Sequence, residues 1–185
     1  MNRKDPQTEL LEALRRGDRK TVIAILMREY NGPLYGYCCM LMRDKEVARD
    51  VVANVFCRIY EKLESLEDFT KIRSWIFSIA HNLCMKERGR AARERQHVEL
   101  SDALPDLPAD AAVGIDRLKA LRDCVEELPE HIRYPLLLRY FTSDEQLTFE
   151  ELGEILRESP STLHYRIASA IPVLRACLQR KEVAI

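Results

Sequence analysis

Between Lys86 and Arg95 half of the side chains are cations: Lys86, Arg88, Arg90, Arg93 and Arg95. His81 and Asn82 stand just ahead of them. On a helix, His81, Asn82, Lys86 and Arg90 lie along one side, and Arg88, Arg93 and Arg95 extend the basic track. Guanidinium and ammonium groups arranged this way neutralise phosphates, while an imidazole or carboxamide among them can hydrogen-bond a base. The simpler alternative is a solvated helix end whose cations favour its C-terminal dipole. So dense a run exceeds what capping requires, and nucleic acid is the reading adopted.

Other chemistries find less support. The six cysteines (Cys38, Cys39, Cys57, Cys84, Cys124 and Cys177) include no Cys-x-x-Cys pair. His81-x-x-Cys84 has ligand spacing but no second pair at a matching distance. The cysteines are therefore read as buried free thiols in a reducing cytosol, with no metal and no cofactor. No nucleophile–base constellation, phosphate loop or carboxylate pair can be placed at a common site, so the chain is not read as an enzyme.

A second candidate surface is "ESPSTLHYRIASAIPVLR", Glu158–Arg175. Ser159 can cap a helix and Pro160 suits its first turn. Arg166 can make a bidentate guanine contact, worth ~1–3 kcal/mol of discrimination, with His164 nearby and Ser161 and Thr162 on phosphates. Alternatively, Arg166 pairs with a carboxylate such as Glu158. Pro172 removes an amide and crowds the carbonyl of Ala168, which predicts a kink or end near Ala168–Ile171.

Helices must position both surfaces. Charged residues are frequent at 32%, and the chain holds only six glycines. No alternating strand run of useful length occurs, so the chain is read as all-α. The expected helices are Thr8–Arg15, Lys20–Tyr30 (ended by Gly32-Pro33), Leu34–Met42, Glu46–Leu63 and Ile72–Arg95. Within Glu46–Leu63 a stripe of Ala48, Val51, Val52, Val55, Ile59 and Leu63 faces inward, leaving Arg49, Asp50, Asn54, Arg58 and Glu61 outward. Trp75 is either a stacking platform or, by its spacing with Ile72, Ile79 and Leu83, a core residue. "LSDALPDLPADAAVG" then breaks the pattern and reads as a flexible acidic linker. Beyond it come Asp116–Glu127, Glu130–Phe141 with a kink at Pro135, and "LTFEELGEIL", where Thr148 and Glu151 fit a capping box. A short turn leads from there into the Ser159 helix, a helix-turn-helix pattern.

This organisation predicts two small helical domains, 1–97 and 116–185, joined by a linker at 98–115. Net charge is −1 overall, but +5 over residues 1–97, −4 over 98–117 and −2 over 118–185. The second domain should therefore bind DNA poorly alone and depend on the first. No apolar run approaches the ~20 residues of a membrane span and no signal segment opens the chain, so a cytoplasmic protein without membrane insertion is expected.

These residues together resemble the extracytoplasmic-function sigma factors, the two-domain promoter-specificity subunits of bacterial RNA polymerase. "LYGYCCMLMRDKEVARDVVANVFCRIY" is similar to the family's core-binding helix pair, through Asp44, Glu46, Ala48, Asp50, Val52, Phe56 and Tyr60. "SWIFSIAHNLCMKERGR" resembles its promoter-melting helix, and "ELPEHIRYPLLLRYFTSDEQLTFEELGEIL" its helix-turn-helix approach. The resemblance implies a protein that binds core polymerase, recognises and melts promoter DNA, and directs transcription initiation. The clamp coiled coil of the largest subunit of core polymerase would meet Asp50, Asn54, Arg58 and Glu61, and the flap of the second-largest subunit is a further expected contact. The minus-ten element would meet His81, Asn82, Lys86, Arg88, Arg90 and Arg93, together with the preceding loop "SLEDFTKIR". The minus-thirty-five element would meet Ser161, Thr162, His164, Tyr165, Arg166 and Ser169. An anti-sigma factor is a family expectation, and the acidic linker is either a spacer or a segment threading the polymerase. Departures are Ala53 and Asn54 where the family has Gln and Glu, a longer "TSDEQ" connector, and a last helix poor in Lys and Arg. Those departures keep two rivals in view: a polymerase-binding relative with weak or lost upstream recognition, and a stand-alone helix-turn-helix regulator.

Overall fold

The computed structural model describes residues 6–94, 112–140, 142 and 146–181, and every regular element among them is helical. Helix α1 (Pro6–Arg15) ends at Gly17, whose φ of +67° turns the chain into α2 (Arg19–Met42), capped where Asp18 accepts from the Thr21 amide. The all-α expectation holds among these residues. The predicted break at Gly32-Pro33 does not, because α2 runs through it. Val22, Ile25 and Leu26 before Pro33, and Leu34, Tyr37 and Cys38 after it, are buried in the same core. Packing on both sides holds the helix together, and the carbonyl that Pro33 leaves unpaired belongs to exposed Glu29, where water can reach it.

Arg43, left-handed at φ 58°, closes α2, and Asp44 accepts from the Glu46 and Val47 amides to open α3 (Lys45–Lys62). The predicted stripe Ala48, Val51, Val52, Val55 and Ile59 is buried, and Phe56 joins it. Two 3-10 turns, Leu63–Ser65 and Phe69–Lys71, lead into α4 (Ile72–Glu94). Ile72, Ile76, Phe77, Ala80 and Cys84 are buried on α4, and Trp75, Ile79 and Leu83 pack partly buried against them. Trp75 thus serves the core.

The second half comprises α5 (Ala112–Glu126), α6 (Glu130–Tyr140), α7 (Phe149–Leu156) and α8 (Pro160–Arg180). Residues 98–111 of the expected linker lie outside the described residues, and residues 112–115 form the first turn of α5. The capping box at Thr148 and Glu151 is present. Arg157, left-handed at φ 57°, ends α7, and Ser159 caps α8 by accepting from the Thr162 amide. Gly153 permits this tight turn, since a Cβ there would stand 2.9 Å from the carbonyl oxygen of Glu158.

Two expectations are corrected here. Helix α8 does not end near Ala168–Ile171 but continues through Pro172 to Arg180. Pro172 and Ala168 are both exposed, so the orphaned carbonyl meets water, while Leu163, Ile167, Ala170, Leu174 and Cys177 hold the helix to the core. The cysteines are not all buried free thiols either. Cys124 and Cys177 form a disulfide between α5 and α8, and Cys57 is exposed. Helix packing brings the first pair to a Cα separation of 5.8 Å across 53 residues of sequence, a proximity that spacing along the chain does not reveal.

Candidate nucleic-acid interface

The α4 track divides into two parts. Asn82, Lys86, Arg90 and Arg93 are exposed, with Arg90 Nε donating to Glu87 at 3.1 Å one turn back. His81 and Arg88 instead face the second half of the chain. His81 Nδ1 and the buried Tyr37 hydroxyl share a 2.8 Å hydrogen bond, and the imidazole lies edge-on to Tyr134 at 5.5 Å. Burial pulls the His81 pKa down to about 4, so the ring is neutral at physiological pH. Burial likewise raises the Tyr37 phenol well above its ordinary value. Arg88 donates to the Leu41 carbonyl at 3.1 Å and to Glu130 at 3.0 Å, and it lies 5.9 Å over the Tyr134 ring.

At the start of α4 stand three polar side chains that the sequence reading did not single out: Lys71 and Arg73 of the "SLEDFTKIR" segment, and Ser74 just after it. Lys71 donates to Glu154 at 2.5 Å, and the Ser74 hydroxyl donates to the same carboxylate at 2.5 Å. Arg73 grips Glu151 with both arms, at 2.7 and 2.6 Å, and reaches the Gln146 carbonyl at 3.2 Å. The Lys71 and Ser74 bonds hold the Glu154 carboxyl below its ordinary value. Burial pushes the Glu151 carboxyl up, but the Arg73 and Thr148 bonds outweigh it, and the net shift is down. The cations were legible only as members of the loop preceding the basic helix; their acidic partners, some eighty residues away, carried no sequence signal.

On α8, Ser161, His164 and Tyr165 are exposed, Tyr165 at 74%. Thr162 and Ser169 are half-buried, and Thr162 Oγ1 lies 2.7 Å from Ser159 Oγ. The His164 ring meets the Phe149 ring at 5.0 Å, while Arg139 lies 4.3 Å from the centroid of the Phe149 ring. Arg166 takes the alternative raised from the sequence: Nη1 donates to Glu158 at 2.5 Å and to the His131 carbonyl at 3.4 Å. Arg166 is therefore braced inside its own domain, with its guanidinium turned toward the carboxylate before the helix.

The outward face of α3 carries Asp50, Asn54, Arg58 and Glu61, all exposed, with Arg58 donating to Glu61 at 2.9 Å. Beside it runs an open groove of about 860 Å³ between α2 and α3, lined by Ile23, Met27, Phe56, Cys57 and Tyr60. Met27 and Tyr60 remain nearly half exposed, an apolar component that the polar pattern of α3 did not reveal.

Packed helices thus carry a helix-turn-helix at one end and a basic helix at the other. Residues 26–94 match the family model Sigma-70 region 2. The chain is 24% identical over 182 residues to the ECF RNA polymerase sigma factor SigW of Bacillus subtilis, covering 91% of this chain and 95% of that one. It is 24% identical to SigK of Mycobacterium ulcerans, covering 95% of each chain. The sigma factor RpoE of Bartonella quintana, solved with the anti-sigma factor NepR, shares the fold at a TM-score of 0.64 and 19% identity. That likeness covers 79% of this chain and 89% of the other. The chain is thus similar to extracytoplasmic-function sigma factors over most of its length.

Proposed function

We infer that this chain is a promoter-specificity subunit of RNA polymerase, binding core enzyme and directing it to start transcription at particular promoters. The observation that carries this reading is the Sigma-70 region 2 match over residues 26–94, the segment that contains both the exposed α3 face and the basic α4 track. Asp50, Asn54, Arg58 and Glu61 would hold the polymerase clamp, with the neighbouring groove accepting apolar side chains. Asn82, Lys86, Arg90 and Arg93 would follow the phosphates of the minus-ten element, with His81 and Arg88 at the edge of that surface. Ser161, Thr162, His164, Tyr165, Arg166 and Ser169 would meet the minus-thirty-five element. The two domains, 1–97 and 116–185, would act as linked modules whose combined grip exceeds either alone. The protein itself performs no chemistry and would work in the cytoplasm, and an anti-sigma factor is a further expected partner.

A second reading is favoured by one observation, the Arg166–Glu158 pair. With that guanidinium occupied, the chain would bind polymerase yet read the upstream element weakly. Transcription in vitro with purified core polymerase on genomic fragments separates the two. Discrete start sites that depend on an upstream element support the first reading; start sites indifferent to it support the second. Tight core binding without any initiation would sink the first.

A further inference from the structure

Helix α8 presents two opposite stripes. Leu163, Ile167, Ala170, Leu174 and Cys177 are buried against the core, while Ser161, His164, Tyr165, Ala168, Ile171 and Pro172 are exposed at the spacing of one outward face. Arg166 does not belong to that face. One residue past Tyr165, it lies about 100° round the helix, on the flank of the buried stripe. Its side chain is 23% exposed, donates to Glu158 and reaches the His131 carbonyl on α6. Ser169 likewise turns its hydroxyl onto the Arg166 carbonyl, at 2.8 Å. The outward face therefore carries no Lys, Arg, Asp or Glu and is mostly carbon. Cations stand at its two ends instead: Arg157 in the turn before α8 and Arg175 just past Leu174, both exposed. From Ser161 to Pro172 the face runs roughly 16 Å along the axis, comparable with a major groove about 12 Å wide. Cations at both ends with carbon between them follow the layout of that groove, where phosphates flank a floor of base edges.

We propose that α8 selects its DNA through thymine methyl groups, read by Tyr165 and Ala168, and not through a guanine contact from Arg166. This deepens the promoter-reading function and rests on it. The C5-methyl of thymine is the apolar group that a base pair presents in the major groove. The phenol ring of Tyr165, 74% exposed, and the Ala168 methyl three residues on are the groups at the centre of the outward face that can bury it. His164, its ring against Phe149, marks one edge of the reader, and Arg157 and Arg175 meet phosphates beyond it. A guanine contact would need the Arg166 guanidinium to leave both Glu158 and the His131 carbonyl and swing across the helix. Methyl contacts also need no counterion release. That suits residues 118–185, whose net charge of −2 gives them little grip on phosphate and which are tethered to a basic partner.

The test alters the DNA and leaves the protein intact. A genomic fragment on which the full-length protein and core polymerase start transcription is randomised in its upstream element, and the duplexes that the holoenzyme retains are sequenced. They should carry thymine at fixed positions. Replacing each such thymine with deoxyuridine removes the methyl and keeps the base pair, and holoenzyme affinity should fall about four-fold per methyl, the worth of one buried carbon. Tyr165→Ala, at an exposed position, should abolish that loss at one of the positions. Arg166→Ala should leave the base preferences as they are. Retained duplexes without fixed thymines, or thymines indifferent to deoxyuridine, would overturn the proposal. So would a guanine position relaxed by Arg166→Ala, or a methyl dependence that Tyr165→Ala leaves whole. Failure of the promoter function looks different: initiation on no fragment sinks that function and the proposal together, whereas initiation that needs the upstream element but not its methyls sinks the proposal alone.

Discussion

Arg73 on α4 and Glu151 on α7 meet as a parallel two-armed pair, Nε to Oε1 at 2.7 Å and Nη2 to Oε2 at 2.6 Å, across 78 residues of sequence. The same Glu151 carboxylate accepts the Thr148 amide at 2.7 Å. One side chain thus caps the first helix of the helix-turn-helix and fastens it to α4. Domain orientation and local helix start are tied to a single charge.

Acid should therefore open the molecule before it unfolds it. Glu130, Glu151 and Glu154 are each held below their ordinary value, so the folded state keeps them charged longer than the unfolded chain does. Their contribution is complete above the ordinary carboxylate range and is lost as pH falls through the lowered folded values. Scattering across an acid titration should show the radius of gyration rising while far-ultraviolet circular dichroism still reports native helix. Coincident loss of both would count against a seam between α4 and α7 that opens separately from unfolding.

His81 acts over a different window. Its folded pKa near 4 lies below the unfolded value near 6.5, so between those values the unfolded chain binds the extra proton and stability falls as pH falls. Tyr37 of α2 and Tyr134 of α6 face the ring, and neither offers a negative charge to an imidazolium. The loss should reach at most about 3 kcal/mol by pH 4. His81→Gln keeps a partner for the Tyr37 hydroxyl but cannot titrate. Urea unfolding at several pH values should give a flatter profile for that variant between pH 6.5 and 4, and an equal slope would refute the assignment.

Reduction should loosen the second half selectively. The Cys124–Cys177 bond closes a loop of 53 residues, which in the chain-entropy account stabilises by about 4 kcal/mol. Thermal unfolding with and without reductant should show a lower midpoint in the reduced protein, and Cys177→Ser should lose that dependence. Cys38 and Cys84 lie 3.6 Å apart and buried; the neighbouring Cys84 thiol and burial both push Cys38 far above its ordinary value, so it should resist alkylation that exposed Cys57 accepts.

Pro172 offers a gain. Replacing it with alanine restores an amide to the Ala168 carbonyl inside α8, and the favourable helix term exceeds the unfolded-state entropy that proline removes. Pro172→Ala should stabilise by about 1–2 kcal/mol. A lower thermal midpoint would mean that a bend at Pro172 is needed for α8 to follow the core.

Much of this protein was decided locally and could be read from the chain. The inward stripe of α3, the Thr148–Glu151 box, the Ser159 cap and the basic run of α4 are features of neighbours three or four residues apart, where helix geometry leaves little choice. The polar signatures of Asp50, Asn54, Arg58 and Glu61 were visible for the same reason, as was the option that Arg166 pairs with Glu158. Prolines misled the reading: at Pro33 and Pro172 local propensity argued for a stop, and burial on both sides of each carried the helix through. Only the tertiary structure decided which distant groups meet. Arg73 with Glu151, Lys71 with Glu154, His81 with Tyr134 and Cys124 with Cys177 are joined by the packing of whole helices, which side-chain periodicity within one helix does not encode.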